Sequence, residues 1–213
     1  MACVIARDVR DGDAVGIGVN SPIPAAGVLL ARRIHAPQLT IRGRALPGAT
    51  GFVGSKEFFD YAQRGALDLF FLSGVQIDAF GRINLHQVGP RRFPGAFGSA
   101  VLYPVVKRVV LFRTEHSPRV FVSRLDFVTA AGRPHMVVTP KAVLAPDGGG
   151  RLELVSFHPG ESVDTIRAAT GFDLGVRPDA AETPPPTNDE LRLLRGPVAE
   201  EMREAYPEHL VTR

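Results

Sequence analysis

Short apolar runs separated by turn residues organise the first half of the chain. Ala14-Val15-Gly16-Ile17-Gly18-Val19 reads as a strand entered through the Asp11-Gly12-Asp13 turn. From Ala25 to Ile34 the apolar positions recur at helical spacing, and Ala36-Pro37 stops that helix before a second strand over Leu39 to Ile41. Ser55 to Gln63 predicts another helix, ended near Gly65, and the run from Leu67 to Leu72 predicts a third, buried strand. Further on, Val105 to Phe112 and Arg119 to Val122 read as short strands, while Met136 to Leu144 and Leu152 to Phe157 are expected to pair across the Pro146-Asp147-Gly148-Gly149-Gly150 turn. Ser162 to Thr170 predicts a helix closed by Gly171. Strands alternating with helices, followed by hairpin-like strands, indicate an α/β fold with a mixed, mostly parallel sheet flanked by helices.

The Pro184-Pro185-Pro186 run marks a boundary, giving a core domain over 1–183 and a proline-led tail over 184–213. Thr187-Asn188-Asp189-Glu190 is a capping-box pattern leading into Leu191-Arg192-Leu193-Leu194-Arg195, and Val198 to Tyr206 reads as helical too. Such a tail suits docking on the core or on a partner subunit.

Composition narrows the class. With 213 residues, 45% of them hydrophobic, the chain has the material for one sizeable core. A net charge of +3 from 25 basic and 22 acidic residues is too balanced for a nucleic-acid footprint. A lone cysteine, Cys3, excludes an intramolecular disulfide and a cysteine-rich metal site, and suits a reducing cytoplasm. No run approaches the roughly 20 apolar residues that span a bilayer, so a soluble, cytoplasmic protein is expected.

Several familiar sites are missing. Gly16-Ile17-Gly18 is followed by Ser21 where a dinucleotide fingerprint needs its third glycine. The six histidines are scattered without i, i+4 pairing, which argues against a dedicated metal site, and no serine sits in a G-x-S-x-G elbow. What survives is a pair of glycine-bearing stretches. Ser73-Gly74-Val75-Gln76-Ile77-Asp78-Ala79-Phe80-Gly81-Arg82-Ile83-Asn84 follows the third strand, and Arg92-Phe93-Pro94-Gly95-Ala96-Phe97-Gly98-Ser99 comes next. Turns of this kind can bring backbone N–H groups to a carbonyl whose oxygen gains negative charge in the transition state of acyl transfer. The alternative is that Gly74, Gly95 and Gly98 serve only turn geometry. Glu57 on a helix, Glu115 in a connection and Asp78 in a turn read as a solvated charge, a solvated charge and a local cap respectively.

These stretches resemble the β subunits of family I CoA-transferases, the glutaconate CoA-transferase type. The resemblance runs over roughly residues 4–196 and includes Gln76-Ile77-Asp78-x-x-Gly81-x-x-Asn84 and Ala31-Arg32-Arg33-Ile34-His35-Ala36-Pro37. Arg119-Val120-Phe121-Val122, Asp126-Phe127-Val128-Thr129-x-x-Gly132, Val137-Val138-Thr139, His158-Pro159-Gly160 and Thr170-Gly171-Phe172-Asp173-Leu174 follow in the family's order. It implies a CoA-transferase-like fold, an α-type partner subunit, an acyl-CoA substrate with coenzyme A as part of that substrate, and no tightly bound cofactor.

The resemblance also implies a departure in chemistry. In the family a glutamate after the Ala-Pro turn attacks the acyl-CoA, and the matching position here is Arg44, whose guanidinium offers only donors. Phe97-Gly98 replaces the glycine pair of the family's oxyanion site, leaving Gly98, with Ser99, as the amide donors expected there. Asn20, Arg42, Gly74, Gln76 and Gly95 are the expected substrate-binding positions. The tail resembles more closely the β subunits of actinobacterial hydrolases that open the last steroid ring as a CoA thioester, which implies an essential carboxylate on the α subunit. Arg42 or Arg44 would then bind a substrate carboxylate bidentately. Acyl-CoA:carboxylate CoA transfer and a non-catalytic structural β subunit are the two alternatives.

Overall fold

The computed structural model describes residues 1–18, 20–42, 46, 49–50, 54–203 and 205–206. The chain divides into two compact units, Met1–Phe71 with Pro186–Arg213, and Leu72–Pro185.

In the first unit, strands β1 (Ala14–Gly16), β2 (Thr40–Arg42), β3 (Ala49–Thr50) and β4 (Leu69–Leu72) lie in the order β3-β2-β1-β4, all parallel. Helix α1 (Ala2–Asp8) precedes β1. Helix α2 (Pro22–Ile34) makes the crossover from β1 to β2, and α3 (Ser55–Gln63) precedes β4. Val28, Leu29, Leu30 and Ala31 are all fully buried, so α2 is enclosed on more than one side, as a helix packed between two neighbours must be. One neighbour is α1. A Cβ added at Gly27 would lie 2.7 Å from Ile5 Cγ2 and 2.9 Å from the Ala2 carbonyl, so the close approach of α1 requires a residue without a side chain.

The tail folds as α6 (Asn188–Leu193), a π-type turn over Leu194–Val198 kinked at Gly196, and α7 (Ala199–Met202). Thr187 and Glu190 form the predicted capping box. Both Glu190 oxygens also receive Arg7, from Nε at 2.9 Å and Nη2 at 2.7 Å. Glu201 likewise takes Arg32 Nη2 at 2.6 Å and Arg33 Nε at 2.8 Å. Two acidic residues thus hold the tail to α1 and α2. The hydrogen bond from Arg7 keeps the Glu190 carboxyl below the usual glutamate range. Glu190→Ala removes one N-cap partner and the carboxylate of a bidentate pair. Because Arg7 keeps a third of its side chain in water, a loss of about 2 kcal/mol is expected, below the 3–5 typical of fully buried pairs. Urea unfolding of the variant would measure it.

The second unit carries β9 (Arg108–Phe112), β10 (Met136–Val138), β11 (Ala142–Pro146), β12 (Leu152–Phe157) and β13 (Gly175–Glu182) in that order. β9/β10 and β12/β13 are parallel, and β10/β11 and β11/β12 are antiparallel. Counted over both units, parallel pairs predominate, and the mixed, mostly parallel sheet flanked by helices is as the sequence predicts. The expected strand over Met136 to Leu144 is in fact two, because the chain reverses at Thr139-Pro140-Lys141, and β11 alone pairs with β12 across the glycine turn. Small hairpins β5 (Gln76–Ile77)/β6 (Ile83–Asn84) and β7 (Gln87–Val88)/β8 (Arg91–Arg92) follow β4. Helix α4 (Phe97–Leu102) comes next, and α5 (Val163–Ala168) is capped by Ser162. Arg119 to Val122, expected as a strand, makes only isolated bridges, Phe121 to Ile77 and Val122 to Gly171. Among the described residues, no helix is long and apolar enough to cross a membrane.

Candidate functional site

In the first unit the parallel strands end together at one edge. The chain passes from β1 outward to β2 and β3 and then returns to β4 on the other side of β1, so the strand order reverses about β1. The crevice at the carboxyl ends of such strands is where open α/β sheets bind ligands. Gly16 ends β1, and Asn20 is exposed just ahead of the first turn of α2. A Cβ at Gly16 would lie 2.5 Å from the Phe70 ring, so that glycine is dictated by strand packing. Arg42 ends β2, its backbone carbonyl accepts from Ile17 N at 3.3 Å, and its guanidinium lies 5.0 Å from the centre of the Tyr61 ring. Arg44 falls outside the described residues. From Ala14 to Lys56 the sequence contains no aspartate or glutamate, so β1, α2, β2 and β3 bring no carboxylate to this edge.

In the second unit, Gly74 and Gln76 belong to a tightly bonded frame. The Gln76 Oε1 accepts from Asn84 Nδ2 at 2.7 Å and from Asp126 N at 3.1 Å. Asn84 Oδ1 accepts from the backbone N–H of His86 and Gln87. A Cβ at Gly74 would lie 2.7 Å from the Gln76 carbonyl, so the backbone closes over that position and only glycine fits. The buried Asp78 takes the N–H groups of Phe80 and Arg82 and the Arg82 Nε at 2.6 Å, a local cap as expected. Glu115 accepts from Ser117 Oγ at 2.6 Å and Arg119 Nη2 at 2.9 Å, and the serine hydrogen bond foremost holds its carboxyl below the usual range.

The frame continues into the second glycine stretch, since the His86 carbonyl accepts from Phe93 N at 2.8 Å. Gly95 then turns with φ +95°, in the left-handed region, with open space where a side chain would be. The glycines of this stretch predict a turn throughout, but Phe97 to Leu102 is a helix, which places Gly98 and Ser99 at its second and third positions. Backbone N–H groups there have no acceptor within the helix. Two adjacent amides from one short turn are what an oxyanion needs, and Ser99 is buried while Gly98 is half-buried. Of the expected site residues, then, Gly74, Gln76, Gly95, Gly98 and Ser99 belong to one bonded segment of the second unit, and Asn20 and Arg42 to the strand ends of the first.

Three further stretches that the sequence singled out converge elsewhere in the second unit, as scaffold. His116 is buried, stacked on Phe121 with ring centres 4.3 Å apart, with Nδ1 2.9 Å from Thr139 Oγ1 and Nε2 3.1 Å from Thr170 Oγ1. Burial pushes its pKa down to about 4. His158 bridges Thr183 Oγ1 and the Thr139 carbonyl, both at 3.0 Å, and burial lowers its pKa as well. Thr139, Thr170 and His158 therefore tie β10, α5 and β12 together.

A model of the coenzyme A transferase family matches residues 46–169, more than half of the chain, and the chain belongs to that family. It is 28% identical to the B component of the 3-oxoadipate CoA-transferase of Pseudomonas knackmussii, covering 92% of this chain and 90% of that one. It is 30% identical to the cholesterol ring-cleaving hydrolase IpdB subunit of Rhodococcus jostii, covering 81% and 80%. Among solved structures, the decarboxylase AibA/AibB superposes with a TM-score of 0.84 at 28% identity over 91% of both chains. The fold thus occurs with three different reactions, and the particular residues at the strand ends have to distinguish them.

Proposed function

We infer that this chain is the β-type subunit of a two-chain cytoplasmic enzyme that opens a ring of an acyl-CoA by hydrolysis of a carbon–carbon bond, with a steroid-derived substrate as the leading candidate. The observation that carries this reading is the stretch from Ala14 to Lys56 without a carboxylate, with Arg44 where a transferase nucleophile is expected. A guanidinium cannot form an acyl anhydride, because it has no lone pair to offer at neutral pH. It binds a carboxylate bidentately instead, which suits Arg42 or Arg44 to hold an acidic group on the substrate. The similarity to the ring-cleaving hydrolase subunit supports the same reading. In this scheme an α-type partner supplies the general base. Water adds its hydroxyl to the ring carbonyl carbon and its proton to the departing carbon, while the amides of Gly98 and Ser99 receive the oxyanion. Coenzyme A enters and leaves as part of the substrate.

Transfer of CoA to an acceptor acid is the second reading, favoured by the 28% identity to the 3-oxoadipate transferase component over 92% of the chain. Incubating the co-expressed two-chain complex with a panel of alicyclic and dicarboxylic acyl-CoAs, with and without acceptor acids, separates them by mass spectrometry. Gain of one water without acceptor is the expected result. Acceptor-dependent CoA exchange would establish transfer, and loss of carbon dioxide would establish decarboxylation; either would overturn the hydrolytic assignment.

A further inference from the structure

The tail of the first unit grips α2 at both ends. Glu201 on α7 holds Arg32 and Arg33, which lie in the last turn of α2. Tyr206, just past α7, reaches the opposite end of that helix, where its hydroxyl donates to the Gly18 carbonyl at 3.4 Å. The backbone N–H of Ser21 is directed at the same phenol oxygen. One hydroxyl therefore bridges the two sides of the turn that leads from β1 into α2. Tyr206 is itself buried, and burial pushes its phenol above the ordinary tyrosine range, so at neutral pH it stays protonated and remains a donor.

The local sequence explains why this turn is held from outside. Pro22 and Pro24, in the first turn of α2, have no N–H to offer, and the N-cap Ser21, although buried, makes no side-chain cap hydrogen bond. A helix entry that its own cap would usually fix is fixed here by a residue from the far end of the chain. The turn is also tight, since a Cβ at Gly18 would lie 3.2 Å from Ser21 Oγ. Between the two bridged residues comes Asn20, exposed at the carboxyl ends of the strands, where open α/β sheets bind their ligands.

We propose that Tyr206 is a positioning residue for substrate binding: its hydroxyl fixes the turn between Gly18 and Ser21 so that Asn20 meets the substrate in one orientation. The inference rests on the reading of the strand-end crevice as the substrate site, and it holds whether the reaction there is hydrolysis or transfer. Fixing a binding turn in advance lowers the ordering cost of association. A turn that contacts ground state and transition state alike, once loosened, raises KM and leaves kcat in place. The tail is then part of the binding apparatus of this subunit as well as part of its core.

Steady-state kinetics of the co-expressed two-chain complex, with whichever acyl-CoA of the panel it converts, test the proposal. Tyr206→Phe keeps the ring in place and removes only the hydroxyl, so a thermal midpoint close to that of the parent is expected. KM should rise about fivefold, the scale of one lost hydrogen bond, while kcat stays within about twofold of the parent. Glu190→Gln controls for general loosening of the tail. It weakens the pair with Arg7, on α6 and α1, and should lower the thermal midpoint while leaving KM unchanged. An unchanged KM in Tyr206→Phe would overturn the proposal, as would a loss confined to kcat or an equal rise of KM in Glu190→Gln. Turnover of no acyl-CoA in the panel would remove the substrate site and this proposal with it. If the products show transfer or decarboxylation in place of ring hydrolysis, the ring-opening assignment fails while the KM comparison still decides the role of Tyr206.

Discussion

Replacing Gly98 with proline in the two-chain enzyme is expected to lower kcat by about 10²–10³, the cost of one lost oxyanion donor, with little change in KM. The substitution removes a single N–H group. At the second position of α4 that group has no helical acceptor, so proline there sacrifices no intrahelical bond. The proper control is Gly98→Ala, which keeps the amide and should retain most of the activity. A thermal midpoint near that of the parent separates catalytic loss from unfolding. If Gly98 serves only the turn, Gly98→Pro leaves kcat within a few-fold of the parent, and the amide role assigned to it is wrong. Gly95→Ala asks a different question, because the left-handed φ of +95° penalises any side chain by roughly 1 kcal/mol while the space around it is open. A stability loss there without a kcat effect would assign Gly95 to the backbone path alone.

The parts of the fold that the sequence made legible are those where one local signal dominates. α3 spans Ser55 to Gln63 as its polar start and apolar spacing predict, and the Thr187–Glu190 capping box forms as spaced. The missed elements lack such a signal. β13 has mostly exposed and half-exposed residues and shows no clean alternation, so nothing in Gly175 to Glu182 announces a strand, and its pairing with β12 decides it. α1 has a sequence as compatible with a strand as with a helix, and packing on Gly27 of α2 settles it. The Met136 to Leu144 run hides a reversal because the apolar residues on either side of Thr139-Pro140-Lys141 are both core-facing.

The site was legible unevenly for a related reason. Gly74, Gln76 and Asn84 recur in one motif because a single backbone frame needs all three, so their proximity follows from the chain itself. The helix beginning at Phe97 was obscured by the glycines that precede and open it. The bridge from Tyr206 left no trace in the sequence, since the tail meets Gly18 only in the folded unit. Arg42 was found, but its seat on Tyr61 was not, because β2 and α3 meet only in the folded unit.

Stability should fall steeply as the solution is acidified from pH 6.5 towards 4, and His116 should account for much of the fall. The unfolded imidazole titrates near 6.5, whereas burial holds the folded one to about 4, reinforced by Lys141 and partly opposed by Glu161. Between these values the unfolded chain binds a proton that the folded chain refuses, so stability rises with pH and is complete above 6.5. Once the pH is below 4 the full difference is lost, about 3 kcal/mol from a shift of this size. His158, also depressed by burial, adds a contribution of the same sign. The carboxyls of Glu161 and Glu190 are held below their usual range, so their own losses come at lower pH and leave this window to the histidines. Urea midpoints at pH 7.5, 6.0 and 4.5 on the full chain and on His116→Gln would check the assignment. Glutamine offers polar atoms to Thr139 and Thr170 but takes no proton, so the variant should be weaker at neutral pH yet lose distinctly less on acidification. Parallel pH profiles for the two proteins would show that the depressed histidine is not what makes this unit acid-sensitive.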